Sequence, residues 1–177
     1  SVGSPGEPKG GVDRIVASEG CKMHIPIKVD YGVRALIDLA QHSKDRLAQT
    51  AEIAERTAIP DQFLAQVLLS LSRRGFIRSQ RGPNGGHSFA MDPSEIRLST
   101  VAECLGGLEA IVGCLDDSTM CVHVPACAQR EVWQSVSEAV FNILDSTTIA
   151  DLVERTQAIT ASRAASSLPE PLDLVTT

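Results

Sequence analysis

Apolar positions near the start of the chain recur at helical spacing. Val29, Val33, Leu36, Ile37 and Ala40 form one stripe, which predicts an amphipathic helix over 28–42 with Asp30 and Arg34 near its exposed face. A short extended piece follows at 46–49, and Thr50 reads as the N-cap of a second helix running through Ile53 and Ala54 to about Arg56. Pro60 and Asp61 suit the first turn of a third helix, which Gly75 should stop after Arg74. Leu64, Val67, Leu68 and Leu71 make its buried stripe, leaving Gln62, Phe63 and Gln66 to project from the other side of its first half, although Phe63 also reads as a core residue. Two helices joined by a short turn, the second opening with polar residues, have the plan of a helix-turn-helix with its recognition helix.

A strand over 76–80, a Gly/Pro/Asn turn over 81–86 and a returning strand over 87–90 then predict a β-wing. In RGPNGG, Arg81 stands beside Gly82 and two further glycines, so the backbone can approach a phosphate while the guanidinium reaches a groove. Thr100 and Glu103 read as a capping box opening a short helix with Val101, Ala102 and Leu105 inward and Cys104 on its inner side. Trp133, Val136, Val140, Ile143 and Leu144 mark a long helix over 126–144 with little in its own subunit to pack against, the signature of a dimer interface. Thr148 is expected to cap a last short helix through Leu152 and Val153.

The fold class expected is mainly α with a small two-stranded β-wing: a winged helix-turn-helix followed by a long C-terminal dimerisation helix. Residues 1–22 read as a disordered extension, native or a cloning remnant, with Met23 as the natural start. Residues 23–98 form the DNA-binding domain, 99–157 the cysteine loop and dimerisation helices, and 158–177 a disordered tail.

Composition agrees. Aromatic residues are only 3% of the 177-residue chain, which favours an aliphatic helical core. No apolar run approaches the roughly 20 residues that span a bilayer, and no signal-peptide pattern is present, so a cytoplasmic protein with no membrane partner is expected. The net charge of −6 does not suggest a nucleic-acid partner, but residues 73–81 carry Arg73, Arg74, Arg78 and Arg81 without an acidic residue. Their alternative role is as a solvated helix end and strand surface.

Cysteines change the picture most. Cys114, Cys121 and Cys127 are separated by six and then five residues in a stretch that no hydrophobic pattern organises. In a reducing compartment, clustered thiols point to metal or redox chemistry rather than disulfides, with an iron–sulfur cluster or a zinc ion as the soft partner. For zinc, His123 is available as a fourth ligand. Cys104 reads as a small buried hydrophobe and Cys21 as an incidental thiol.

YGVRALIDLA in the first helix, AEIAERTAIPDQFLAQVLLSLSRRGFIRSQRGPNGGHSFA across the reading head and wing, the cysteine triplet and TIADLVER after the long helix together resemble one family. It is the winged-helix family of bacterial iron–sulfur regulators that includes the cluster-biogenesis regulator IscR and the nitric-oxide sensor NsrR. The resemblance covers about 23–156. It implies a homodimer on double-stranded operator DNA, with a cluster held by Cys114, Cys121 and Cys127. It also implies that Gln62, Phe63 and Gln66 meet DNA from the recognition helix, and Arg81 and Gly82 from the wing.

Three departures matter. Ala65 stands where IscR-like members place a sequence-screening glutamate, so their operator preference does not transfer. His87 stands where most members have an aromatic residue. Arg130, which cannot ligate, occupies the place of the IscR-like histidine ligand, whereas Asp30 matches the aspartate that NsrR-like members supply from the other subunit. By resemblance the fourth ligand is therefore Asp30 of the partner subunit, and the cofactor a 4Fe-4S cluster, with 2Fe-2S or zinc as alternatives. The function expected is a regulator, a repressor by preference, that senses nitric oxide, redox state or iron and cluster supply. The alternatives are a zinc-binding or cluster-free regulator and an iron–sulfur redox protein. No dinucleotide or phosphate-loop fingerprint and no Ser/His/Asp arrangement supports an enzyme.

Overall fold

The computed structural model describes residues 25–43, 46–82, 85–107, 112–121, 123 and 126–166. The expected extension at 1–22, including Cys21, lies outside these residues, as do Pro83 and Asn84 of the wing turn. Helix α1 (Ile27–His42) is central and packs against α2 (Thr50–Thr57), α3 (Asp61–Arg74), α4 (Leu98–Cys104) and α7 (Ile149–Ser166). Strands β1 (Ile77–Gln80) and β2 (Gly86–Phe89) form the antiparallel wing, with Arg78 opposite Ser88 and Ser79 opposite His87. Between α4 and α7 come the short α5 (Gly113–Asp116) and the long α6 (Ala128–Ser146).

The apolar stripe of the third helix is buried as its spacing predicts: Leu64, Val67, Leu68 and Leu71. They join Leu36 and Leu39 of α1, Ile53 of α2, Ile77 of β1, and Ile96, Val101 and Ile149 in one core. A fully buried aliphatic side chain contributes about 1.5–3 kcal/mol of transfer free energy, so this shared core is what holds the wing and reading helices as one body. Gly75, at φ 89°, closes α3 in the left-handed region, where its N–H and that of Phe76 bond to the carbonyls of Ser72 and Leu71. That cap turns the chain directly from the recognition helix into β1.

Several boundaries differ from expectation. The N-cap of α2 is Gln49 rather than Thr50: its N–H donates to Glu52 Oε2 at 3.2 Å, and Arg46 braces the same carboxylate at 2.9 Å. Thr100 and Glu103 form no capping box. Helix α4 begins three residues earlier, because Arg97 is drawn into an extended bridge with Thr148 and becomes the N-cap. Thr148 does cap α7, exchanging bonds with Asp151. That helix is long rather than short and runs to Ser166, so 158–166 of the expected disordered tail is helical. Residues 158, 161, 164 and 165 are alanines, the strongest helix formers, which explains the continuation.

Helix α6 packs against α4 and α5, yet buries no residue within the subunit. Val132, Val136, Phe141 and Ile143 are exposed along it. Its C-terminal end is clipped to the core. Leu98 N–H donates to Thr147 O and Ile149 N–H to Ile96 O, both at 2.9 Å, while Asp145 accepts from Ser99 Oγ at 2.7 Å and Arg97 at 2.8 Å.

Candidate functional site

The candidate nucleic-acid surface is built on α3 and the wing. Because the stripe of α3 turns inward, Gln62, Phe63 and Gln66 are left exposed on its first half. Phe63 is not core: it is 49% exposed and its ring lies 6.3 Å from that of Tyr31, tilted at 58°. Arg73 and Arg74 end the helix, Arg78 projects from β1, and Arg81 with Gly82 leads into the wing turn, all exposed. Gly82 sits at φ 118°, a backbone that favours glycine.

The arginines divide in a way that the sequence does not show. Arg34 pairs with Asp30, Arg46 with Glu52, Arg56 with Asp38 and Arg97 with Asp145. Among the described residues, Arg73, Arg74, Arg78 and Arg81 form no ion pair. On a chain of net charge −6, four unneutralised cations follow one another from the end of α3 through β1 to the wing. Such a surface attracts a polyanion, while glutamine amides at the head of α3 are able to read adenine edges.

One residue at the base of the wing is better placed than its sequence position reveals. His87 Nε2 lies 3.0 Å from Thr50 Oγ1, and its Nδ1 lies 2.9 Å from Ser79 Oγ. Its main chain pairs with Ala48 in both directions, at 2.8 and 3.0 Å. Burial lowers the proton affinity of the ring.

The three candidate ligands lie around the start of α6. Cys114 is in α5, Cys121 follows a 3-10 turn at Ser118–Met120, and Cys127 is the residue capping α6. All three are free thiols of intermediate burial, and Arg130 Nε donates to the Cys114 carbonyl at 3.4 Å. Soft thiolates of this kind suit an iron–sulfur cluster, so the donor set fits in chemistry. Among the described residues, however, no three His, Cys, Asp or Glu side chains are grouped to hold a metal ion. Asp30, in the first turn of α1, has both oxygens engaged by Arg34, at 2.8 and 3.1 Å. His123 is exposed. Cys104 is apart from this set: its thiol donates to Ser70 O at 3.5 Å, linking α4 to α3, and burial raises its pKa against the opposing effect of Arg74.

Residues 25–155 match the Rrf2 family model, described as iron-dependent transcriptional regulators. A Mycobacterium tuberculosis protein, Rv1287, described as a helix-turn-helix-type transcriptional regulator, is 31% identical over 73% of this chain and 81% of its own length. Protein rrf2 of Nitratidesulfovibrio vulgaris is 29% identical over 74% of this chain and 87% of its own. Among solved structures, CymR, the global cysteine regulator of B. subtilis, superposes with a TM-score of 0.64 at 28% identity, covering 76% of this chain and 98% of that one. T. potens IscR does so with a TM-score of 0.59 at 25% identity, covering 84% and 93%. No helix among the described residues is long and apolar enough to cross a membrane. The chain therefore belongs to the Rrf2 family, and is a winged helix-turn-helix transcriptional regulator rather than an enzyme.

Proposed function

We propose that this chain acts as a homodimer that binds double-stranded operator DNA, as a repressor, and that an iron–sulfur cluster sets its operator affinity. The observation that carries the DNA reading is the run of unpaired arginines, Arg73, Arg74, Arg78 and Arg81, beside the exposed Gln62, Phe63 and Gln66. Each recognition helix enters a major groove, Gln62 and Gln66 face base edges, and Arg81 with Gly82 approaches the flanking backbone or minor groove. The apolar row Val132, Val136 and Ile143, exposed on α6, supports pairing with a second copy, which matches the two-fold symmetry of an operator.

Cys114, Cys121 and Cys127 would hold a 4Fe-4S cluster, with Asp30 of the partner subunit as fourth ligand. With Asp30 as the oxygen ligand, such a cluster would supply an exchangeable iron position open to nitric oxide or oxygen. The chain has a mechanical route for such a signal, since Cys127 caps α6 and Asp145, near its other end, grips Ser99 and Arg97 of the reading domain. A change at the cysteine loop would be felt as a displacement of α6, and for Asp30 as a release or capture of its bond to Arg34.

Anaerobic purification with iron and sulfide counts and visible absorption tests the cofactor. Four irons per subunit support the proposal, and a colourless protein with one zinc per subunit overturns it. Binding to an operator duplex, with Arg81→Ala as control, tests the DNA reading separately. A second reading is a regulator that uses these thiols without a cluster. It is favoured by the ungrouped ligands and by the likeness to CymR, a cysteine regulator.

A further inference from the structure

We propose that His87 is a positioning residue for DNA binding: in its neutral form it pins the wing to the first turn of α2 and so presents Arg81 to the operator. The inference rests on the reading of Arg81 as a DNA-contacting wing residue. A hairpin with two four-residue strands is marginal by itself, so its position depends on what ties down its base. Two ties are present. The backbone bridge between Ala48 and His87 joins the extended piece before α2 to the edge of β2, and Gly86 lies so close to it that an added Cβ would meet Ala48 O at 2.7 Å. The second tie is the His87 ring, which reaches Thr50 at the start of α2 with one nitrogen and Ser79 on β1 with the other. Ser79 is two residues before Arg81, so this side chain connects the helix-turn-helix to the strand that delivers the wing arginine.

A neutral imidazole has one donor and one acceptor nitrogen, and a hydroxyl can play either part, so Thr50 and Ser79 satisfy both tautomers. Protonation places a positive charge in a half-buried position at the positive end of α2. The charged side chains on the elements around it do not relieve that charge. On α2, Glu52 is engaged by Arg46 and Arg56 by Asp38, leaving Glu55; α1, which also packs against β2, carries His42 and Asp38, the latter held by Arg56; the extended piece before α2 carries Arg46, β1 carries Arg78, and Arg81 follows it. The tie is thus strongest when the ring is neutral, and operator binding weakens when it is charged.

The test uses the full-length dimer and a duplex selected in vitro by the unsubstituted protein, titrated at several salt concentrations and at pH 7.5 and 5.5. Expected at pH 7.5 is a loss of about tenfold for Arg81→Ala and a similar loss for His87→Phe, each lowering the salt slope by about one per subunit. Ser79→Ala, at an exposed position, should shift affinity in the same direction by several-fold without threatening the fold. Because His87 acts through Arg81, the double variant should bind no more weakly than Arg81→Ala alone. The unsubstituted protein should lose more affinity than His87→Phe on acidification. If Arg81→Ala binds normally, the wing reading fails and this inference fails with it. If Arg81→Ala is weakened but His87→Phe is normal, additive with it or equally pH-dependent, the role of His87 is overturned while the wing reading stands.

Discussion

Arg130 donates from Nε to the carbonyl oxygen of Cys114 at 3.4 Å, bonding the first turn of α6 to the short helix that carries the first cysteine. By resemblance, Arg130 stands at the position from which an IscR-like chain would supply its histidine ligand. An arginine is always protonated and cannot ligate, so the proposed cluster would need its fourth ligand from elsewhere. Arg130→His should restore a local donor. We expect Asp30→Ala to lower the iron content of anaerobically purified protein, and the double variant with Arg130→His to recover it. Full iron content in Asp30→Ala alone would remove Asp30 from the ligand set.

Cys121→Ala tests coupling between the loop and the reading heads. It should abolish cluster absorption and change operator affinity 10- to 100-fold, corresponding to about 1.4–2.7 kcal/mol of coupling. Loss of the cluster with unchanged affinity would sink the switch and leave the DNA-binding reading intact.

The bond from Ser99 to Asp145 should matter for stability. Ser99 is only 3% exposed, and Asp145→Ala leaves its hydroxyl without that acceptor while freeing Arg97. An unsatisfied buried group costs about 1–3 kcal/mol. The thermal midpoint should fall by roughly 2–4 °C for each kcal/mol in a domain of this size. A midpoint unchanged in calorimetry would show that α6 is not anchored through this carboxylate.

Two ion pairs on α1 should differ sharply. Asp38, 6% exposed, receives both Arg56 Nε and Nη2 at 2.7 Å, whereas the Arg34 and Asp30 side chains are 53% and 37% exposed. Asp38→Ala should cost about 3 kcal/mol, because it removes both short bonds to a partly buried guanidinium and leaves it only the longer pair with Glu52 at 4.0 Å. Arg34→Ala should change stability by less than about 1 kcal/mol. Urea denaturation of both variants separates the two cases.

Stability should also decline in mild acid through His87. Burial holds its folded pKa below the ordinary value of about 6.5, so the unfolded chain binds a proton first. The neutral ring's contribution is fully present above pH 6.5 and is lost as pH falls toward the folded pKa. His87→Phe should flatten this limb of the urea midpoint against pH.

Much of this was legible because local rules and tertiary packing agree. In α3, a Pro/Asp start, four leucine and valine positions at helical spacing and a terminal glycine all favour the same helix. The start of α4 was not legible, because Arg97 takes its conformation from pairing with Thr148, fifty-one residues later in the chain. The length of α7 was hidden by serines and a proline farther along, which outweighed its alanines in a composition-based reading. In the candidate site, the exposed positions of α3 followed from periodicity alone. That Arg73, Arg74, Arg78 and Arg81 form no ion pair among the described residues, while Arg34, Arg46, Arg56 and Arg97 do, requires knowing which carboxylates lie nearby. The double contact of His87 is likewise tertiary: Thr50 and Ser79 are 37 and 8 residues away.

Helix α6 is nineteen residues long and buries none of them inside its own subunit. Most of the stability of a helix in a protein comes from tertiary packing of its apolar face. If a second copy covers Val132, Val136 and Ile143, association and folding of this segment become one equilibrium, governed by mass action. The amount of the regulator would then act twice, setting how much operator is occupied and what fraction of the chain is sheltered from proteases. A newly made or diluted subunit would be short-lived, so the regulator's concentration would have a threshold built into its own backbone.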